Sequence, residues 1–272
     1  MRARAPASSA NLGPGFDTLA LALDLRVEVE VAPSDKLVVR SEGEGSDLPA
    51  DADHLAARVA VEVVGHDRLA VTVRSQIPVG RGLGSSASLA LAAAAAAGAE
   101  DPLAVAVRLD GHAENAAASL RGGLVAAATV EGRPVVVPLR LDPDYRFVVL
   151  VPDRRLPTAE ARAVLPALVA HGDAAFNLGR LALLITGLSD HRLLVAQATE
   201  DRLHQTQRTQ LFPESEALMA GLRDAGALAS CWSGAGPTVL GICLAADVER
   251  VRDRGQELMA EVGVAGRALA LD

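Results

Sequence analysis

An α+β fold in two domains is predicted by three features of the sequence. Half-exposed strand patterns come first, helix-forming runs cover them, and a polar, turn-prone Asp142-Pro143-Asp144 separates two comparable halves. With 272 residues, 50% hydrophobic side chains and a mean hydropathy of +0.25, the chain has material for both cores. Aromatic residues are only 2%, so those cores are aliphatic and alanine-rich. The expected domains are residues 1–143 and 144–272.

The elements follow in order. Val27-Glu28-Val29-Glu30-Val31 and Leu69-Ala70-Val71-Thr72-Val73-Arg74 alternate as strands with one buried face, and residues 53–64 read as a helix between them. Leu89-Ala90-Leu91 and six further alanines form a strong helix, and Pro102 opens another whose end carries His112. Residues 125–130 and 134–139 flank Glu131-Gly132-Arg133 as a hairpin. In the second half, residues 147–151 form an apolar strand, 174–188 a helix, 197–203 with its extension another, 228–244 a strand-turn-strand, and 247–262 a helix.

The segment with the clearest chemistry is Pro78-Val79-Gly80-Arg81-Gly82-Leu83-Gly84-Ser85-Ser86-Ala87-Ser88. Its glycines let the backbone approach an anion, and the helix behind it offers free N–H groups and a positive dipole end. A phosphate cradle is the direct reading. A Walker loop is excluded, because the single lysine of the chain is Lys36, and a dinucleotide turn lacks its acidic residue on the following helix.

Pro78 to Ala87 resembles the second motif of the GHMP kinase superfamily, Pro-x-x-x-Gly-Leu-Gly-Ser-Ser-Ala. Residues 5–17, Ala-Pro-Ala-Ser-Ser-Ala-Asn-Leu-Gly-Pro-Gly-Phe-Asp, resemble the first motif of the homoserine kinases, and no Gly-Glu-His element of galactokinases or mevalonate kinases is present. Gly111-His112-Ala113-Glu114-Asn115 is similar to their Gly-His-Pro/Ala-Asp-Asn element, with Glu114 in place of the aspartate. Gly122-Gly123, Thr158-x-x-x-Arg162, His204-x-x-x-Arg208 and the turn Ser233-Gly234-Ala235-Gly236-Pro237-Thr238 follow in the family's order.

The resemblance implies the two-domain GHMP kinase fold, an N-terminal ribosomal protein S5 domain 2-like domain and a C-terminal ferredoxin-like domain. It implies ATP on residues 78–88 and Mg²⁺ on Ser86 and Asp110, the only carboxylate between Pro102 and His112. L-homoserine would be held by Asn11, Asp17, His112, Arg162 and Arg208, with Asn115, Thr158 and Arg162 near the transferring phosphoryl group. Arginine forks suit an α-carboxylate, and Asp17 with Asn11 suits an ammonium. Taken alone, Arg208 reads as a solvated helix charge. With no lysine at hand, transition-state stabilisation without a strong side-chain base is expected. Another small-molecule kinase of the superfamily and a non-catalytic nucleotide-binding regulator stay open as alternatives. Gly84→Val is expected to weaken nucleotide binding with little thermal cost.

The net charge of −8 argues against nucleic acid or an anionic membrane as partner. Arg81 and Arg121 supply local positive charge for a nucleotide. Cys231 and Cys243 have no metal-ligand spacing and read as buried, reduced thiols, and no targeting or membrane segment is apparent. A cytoplasmic protein is expected, and a homodimer is compatible with it.

Overall fold

The computed structural model describes residues 1–272. By internal contacts the chain forms two compact units, each built from separate stretches: 1–9, 20–79 and 83–138, then 10–19, 80–82 and 139–272.

The first unit contains β1 (Arg2–Asn11) and β2 (Gly15–Pro33) apart from their residues in 10–19, then β3 (Val38–Gly43), α1 (Leu55–Val64), β4 (Leu69–Ser75), α2 (Ser85–Ala97), α3 (Pro102–Asp110), α4 (Ala113–Arg121), β5 (Leu124–Val130) and, but for Leu139, β6 (Arg133–Leu139). Its sheet runs β3-β4-β2-β5-β6, with β1 also on β2. Val29 faces Val73 and Val31 faces Val71 in the antiparallel β2–β4 pair, while Val39 lies parallel to Val71. These valines are buried. Glu28, on the alternate face, is ringed by Arg2, Arg4 and Arg74. The alternation in the sequence is thus the division between core and solvent.

The alanine run has a packing reason. Of α2, Ala87, Ser88, Ala90, Leu91, Ala92, Ala93, Ala94 and Ala96 are buried, which is burial all round. The helix packs against α1, α3 and α4, and methyl-sized side chains let the neighbours approach closely. One boundary differs from expectation. Gly111 ends α3 in a left-handed conformation, so His112 does not sit at the end of that helix and instead precedes α4 as its cap residue.

The second unit contains β7 (Tyr145–Pro152), α5 (Thr158–Ala163), α6 (His171–Ser189), α7 (Gln205–Arg208), α8 (Ser215–Asp224), β8 (Ala229–Trp232), β9 (Val239–Leu244), α9 (Val248–Glu261) and β10 (Gly266–Leu271). The antiparallel sheet has the order β10-β7-β9-β8. With α8 and α9 as crossovers this is a β-α-β-β-α-β unit, the ferredoxin-like arrangement. Val148, Leu150, Leu222, Trp232, Val239, Val251 and Met259 share its core.

The segment between β7 and α8 is an insertion into that motif. The helix expected over 197–203 with its extension is broken: a 3₁₀ turn covers Ala196–Thr199, Asp201 restarts the chain, and only Gln205–Arg208 is α-helical. The Asp201 carboxylate accepts the N–H groups of Leu203, His204 and Gln205, which opens α7. No helix of the structure is long and apolar enough to cross a membrane.

Candidate active site

In the first unit the glycine-rich segment runs from Leu83 into α2. Gly84 caps this helix at φ +64° with no side-chain cap, which leaves the N–H groups of the first turn to an anion. Ser85 and Ser86 occupy that turn. Ser88 points elsewhere: its buried hydroxyl lies 2.7 Å from the Pro6 carbonyl and 2.9 Å from Ser119 Oγ, so it joins the helix to β1 and α4.

Gly84 is also where the chain is tightest. A Cβ there would meet Ser8 Oγ at 2.1 Å and Asn115 Oδ1 at 3.0 Å. The expectation of little thermal cost for Gly84→Val is therefore overturned, since the residue is required by packing as well as by φ.

Ser8 Oγ donates to Asn115 Oδ1 at 2.9 Å, and Asn115 Nδ2 donates to Glu114 Oε1 at 3.1 Å. His112 Nδ1 stands 3.8 Å from Glu114 Oε1. Asn115 and His112 are thus brought together through Glu114, which is buried. Ser8 was not singled out by the sequence. Asp110 ends α3, and its Oδ2 is buried without a hydrogen-bond partner. Asp110 closes α3, which packs against α2, the helix that Ser85 and Ser86 open. An orphaned carboxylate oxygen and a serine hydroxyl are hard donors of the type Mg²⁺ takes.

The second unit holds Gly80 to Gly82 and a charged cluster. Gly80 and Gly82 have φ of +67° and +74°. A Cβ on Gly82 would lie 2.1 Å from the Ser233 carbonyl, so the two glycine-rich turns touch backbone to backbone. Arg81 is turned onto the carbonyls of Pro152 and Asp153 at 2.7 and 2.6 Å.

Asn11 is buried, and its amide oxygen accepts the Asp17 N–H at 3.0 Å while its nitrogen donates to the Gly234 carbonyl at 2.9 Å. It thereby fixes Asp17, whose φ of +51° is unusual for a non-glycine residue. Arg162 makes a two-pronged pair with Asp17 at 2.8 and 3.1 Å. Arg162 and Thr158 are one helical turn apart on α5, on one face.

Arg208 is only 2% exposed. Its Nη1 donates to the Gly234 carbonyl at 2.9 Å and to His204 Nδ1 at 3.0 Å, and its Nε to the Ala161 carbonyl at 3.4 Å. Burial, and then the neighbouring Arg162 charge, push its pKa down to about 10, so it stays a cation at neutral pH. Phe16 lies between the arginines, with both guanidinium carbons 5.6 Å from its ring centre, and stacks on His204 at 5.1 Å. Phe16 and His204 sit inside the motifs, yet nothing in their residue type marks them as part of the cluster.

His204 has no exposure, and burial pushes its pKa down to about 4, with Arg208 lowering it and Asp201 opposing. In the unfolded chain it titrates near 6.5. Between those values the unfolded state binds the proton and the folded state does not, so stability falls as pH drops through this window and then levels off. The expected loss is on the order of 3 kcal/mol. Melting temperatures measured from pH 8 to 4 should show this acid limb, and His204→Asn should flatten it. An acid limb unchanged in that variant would place the titrating group elsewhere.

The chain is similar to known proteins along most of its length. Residues 52–132 fit the model of the GHMP kinases N terminal domain, and residues 174–261 that of GHMP kinases C terminal. The homoserine kinase of Rhodococcus erythropolis is 44% identical over 267 residues, covering 88% of this chain and 85% of its own length. That of Leifsonia xyli subsp. xyli is 40% identical, covering 98% and 85%. The crystal structure of homoserine kinase from Cytophaga hutchinsonii superposes with a TM-score of 0.86 at 24% identity, covering 100% of this chain and 94% of that one. L. major mevalonate kinase, solved with R-mevalonate, gives 0.72 at 15% identity, covering 99% and 95%. These two structures speak for the fold alone. With both family domains matched and relatives above 40% identity along most of its length, the chain belongs to the homoserine kinases of the GHMP kinase family, enzymes that transfer phosphate to a hydroxyl.

Proposed function

We propose that the protein is an ATP-dependent homoserine kinase that converts L-homoserine to O-phospho-L-homoserine on the route to threonine. The observation that carries the substrate is Arg208: a buried cation whose hydrogen bonds go to neutral acceptors, with Asp17 and Asp201 acting on it only from beyond ion-pair contact. Such a charge is costly unless an anion completes it. The α-carboxylate of an amino acid is such an anion; Arg162, whose fork is closed on Asp17 in this structure, adds positive charge beside it, and Asp17 receives the ammonium.

In the reaction the side-chain hydroxyl oxygen attacks the γ-phosphorus of ATP. A bond forms between them, the bond to the β-γ bridging oxygen breaks, and ADP leaves with that electron pair. The α2 N-terminus and the glycine loop hold the phosphates where charge spreads in the transition state. Asn115, held by Ser8 and Glu114, orients the acceptor side, and Thr158 flanks Arg162. The only lysine, Lys36, lies between β2 and β3, so the hydroxyl proton leaves late to phosphate or solvent. Ser86 and Asp110 are the residues that would hold Mg²⁺, which when bound neutralises phosphate charge.

The assignment is tested by coupled ADP release with homoserine, mevalonate, galactose and shikimate. Turnover with homoserine alone is expected. Preference for another alcohol would make the chain a different kinase of the superfamily, and ATP binding without turnover would make it a regulator. The metal site is tested by Asp110→Asn, which should lower kcat and raise the Mg²⁺ concentration for half activity, with the melting temperature nearly unchanged because Oδ2 has no internal bond to lose. An unaltered Mg²⁺ dependence would move the metal to another carboxylate, Glu114 first.

A further inference from the structure

We propose that His204 is a positioning residue for the substrate clamp: its neutral Nε2–H tautomer bridges the Gly13 carbonyl and Arg208, and so fixes which edge of the guanidinium is offered to the substrate carboxylate. This rests on the reading of Arg208 as a carboxylate clamp.

Both neighbours dictate the tautomer. The Gly13 carbonyl, 2.8 Å from Nε2, can only accept, so Nε2 carries the hydrogen. The Arg208 guanidinium, with Nη1 3.0 Å from Nδ1, can only donate, so Nδ1 presents a lone pair. A doubly protonated ring would set N–H against N–H and one cation against another. The depressed pKa agrees with this, although the two contacts alone require it.

The consequence falls on the guanidinium. One Nη1 hydrogen goes to the Gly234 carbonyl and the other to His204, while Nε goes to Ala161. Three protein acceptors occupy these atoms, and Nη2 is the edge left for a ligand. Remove the Nδ1 lone pair, and Nη1 has a spare hydrogen and the fork can turn.

The same ring also reaches the opposite side of the clamp. Gly13 lies in the turn between Asn11, the last residue of β1, and Asp17, near the start of β2. Its φ is +83°, and a Cβ there would meet the Thr199 carbonyl at 2.3 Å, so the acceptor carbonyl is held by backbone packing. His204 itself is set by Asp201, which accepts its N–H at 2.7 Å, and by the stacked Phe16. One imidazole thus ties the ammonium loop to the carboxylate arginine.

Two amide substitutions separate the two bonds. His204→Gln keeps a donor that can reach Gly13 but has no acceptor at the Nδ1 position. His204→Asn places an amide oxygen there and gives up Gly13. His204→Gln is expected to raise the homoserine KM about tenfold with the ATP KM unchanged, and His204→Asn to raise it less than about threefold. In an Arg208→Leu background, His204→Gln should add nothing further. With 2-amino-1,4-butanediol, which lacks the carboxylate, wild type and His204→Gln should be equally poor. Equal KM changes for Gln and Asn, parallel loss of ATP affinity, or additivity with Arg208→Leu would overturn the proposal.

Should His204→Gln fail to fold, nitrogen-15 NMR of the labelled wild-type protein at neutral pH still decides. A protonated Nε2 and a bare Nδ1 are expected, and the reverse tautomer or an imidazolium would refute the assignment. If Arg208→Leu leaves the homoserine KM untouched, the clamp reading itself has failed. If Arg208→Leu acts and His204→Gln does not, only the positioning role has.

Discussion

Arg208→Leu is expected to raise the homoserine KM by roughly ten- to a hundredfold while the ATP KM stays near wild type. A charge-assisted hydrogen bond contributes about 1.5 to 3 kcal/mol, and each 1.4 kcal/mol or so is a factor of ten. The loss of one fork therefore covers that range. The substitution also leaves the carbonyls of Gly234 and Ala161 without their Arg208 donor, so a fall in melting temperature accompanies it. Two controls keep the kinetic effect separate from the structural one. Arg208→Lys retains the charge and loses the planar fork, and should fall between wild type and leucine. The amino alcohol without a carboxylate should be a poor substrate of wild type and lose little more in the variant. Equal losses for ATP and homoserine, or for homoserine and the amino alcohol, would make Arg208 a structural residue.

How much of this arrangement can be seen in the sequence depends on whether a signal is local. The strands through Val27–Val31 and Leu69–Arg74 are legible because one face is valine and the other largely polar, and the structure pairs those valines with each other. β1 and β10 are not legible, since Arg-Ala-Arg-Ala-Pro and Gly-Arg-Ala-Leu-Ala have little strand preference of their own. Pairing with β2 and β7 makes them strands. The phosphate cradle is legible as glycines running into an alanine helix. The polar chain through Ser8, Asn115 and Glu114 is not, because it joins residues 107 apart.

The arginine cluster shows the same limit. Spacing picks out Arg162 and Arg208, but a histidine and an arginine one helical turn apart look like an exposed helix face. What buries them are acceptors far along the chain: Gly13, 191 residues from His204, and Gly234, 26 residues from Arg208. The short helix that follows His204 and carries Arg208 is set by the Asp201 carboxylate, and so the helix expected over 197–203 and its extension is broken before its last turn.

Gly84→Val is expected to remove ATP binding and to destabilise the protein together. The left-handed conformation costs a β-branched residue about 1 to 2 kcal/mol, and a side chain driven into packed atoms adds about 1 to 3 kcal/mol. Ser8 Oγ at 2.1 Å and Asn115 Oδ1 at 3.0 Å from the new Cβ are those packed atoms, so the clash breaks the hydrogen bond that holds Asn115. At about 2 to 4 °C per kcal/mol the melting temperature should fall on the order of 10 °C. Because stability and binding fall together, this variant alone cannot show that backbone approach to phosphate is what the loop provides. Gly80→Ala can. Gly80 has φ +67°, but the atoms nearest to a Cβ there are those of the Arg155 side chain, at 3.5 Å and beyond, so the added methyl has room. Calorimetry on the folded Gly80→Ala protein should show ATP affinity reduced at least several-fold, with a melting temperature only a few degrees below wild type. Wild-type ATP affinity in both variants, measured where each is folded, would take the glycine loop out of the nucleotide site.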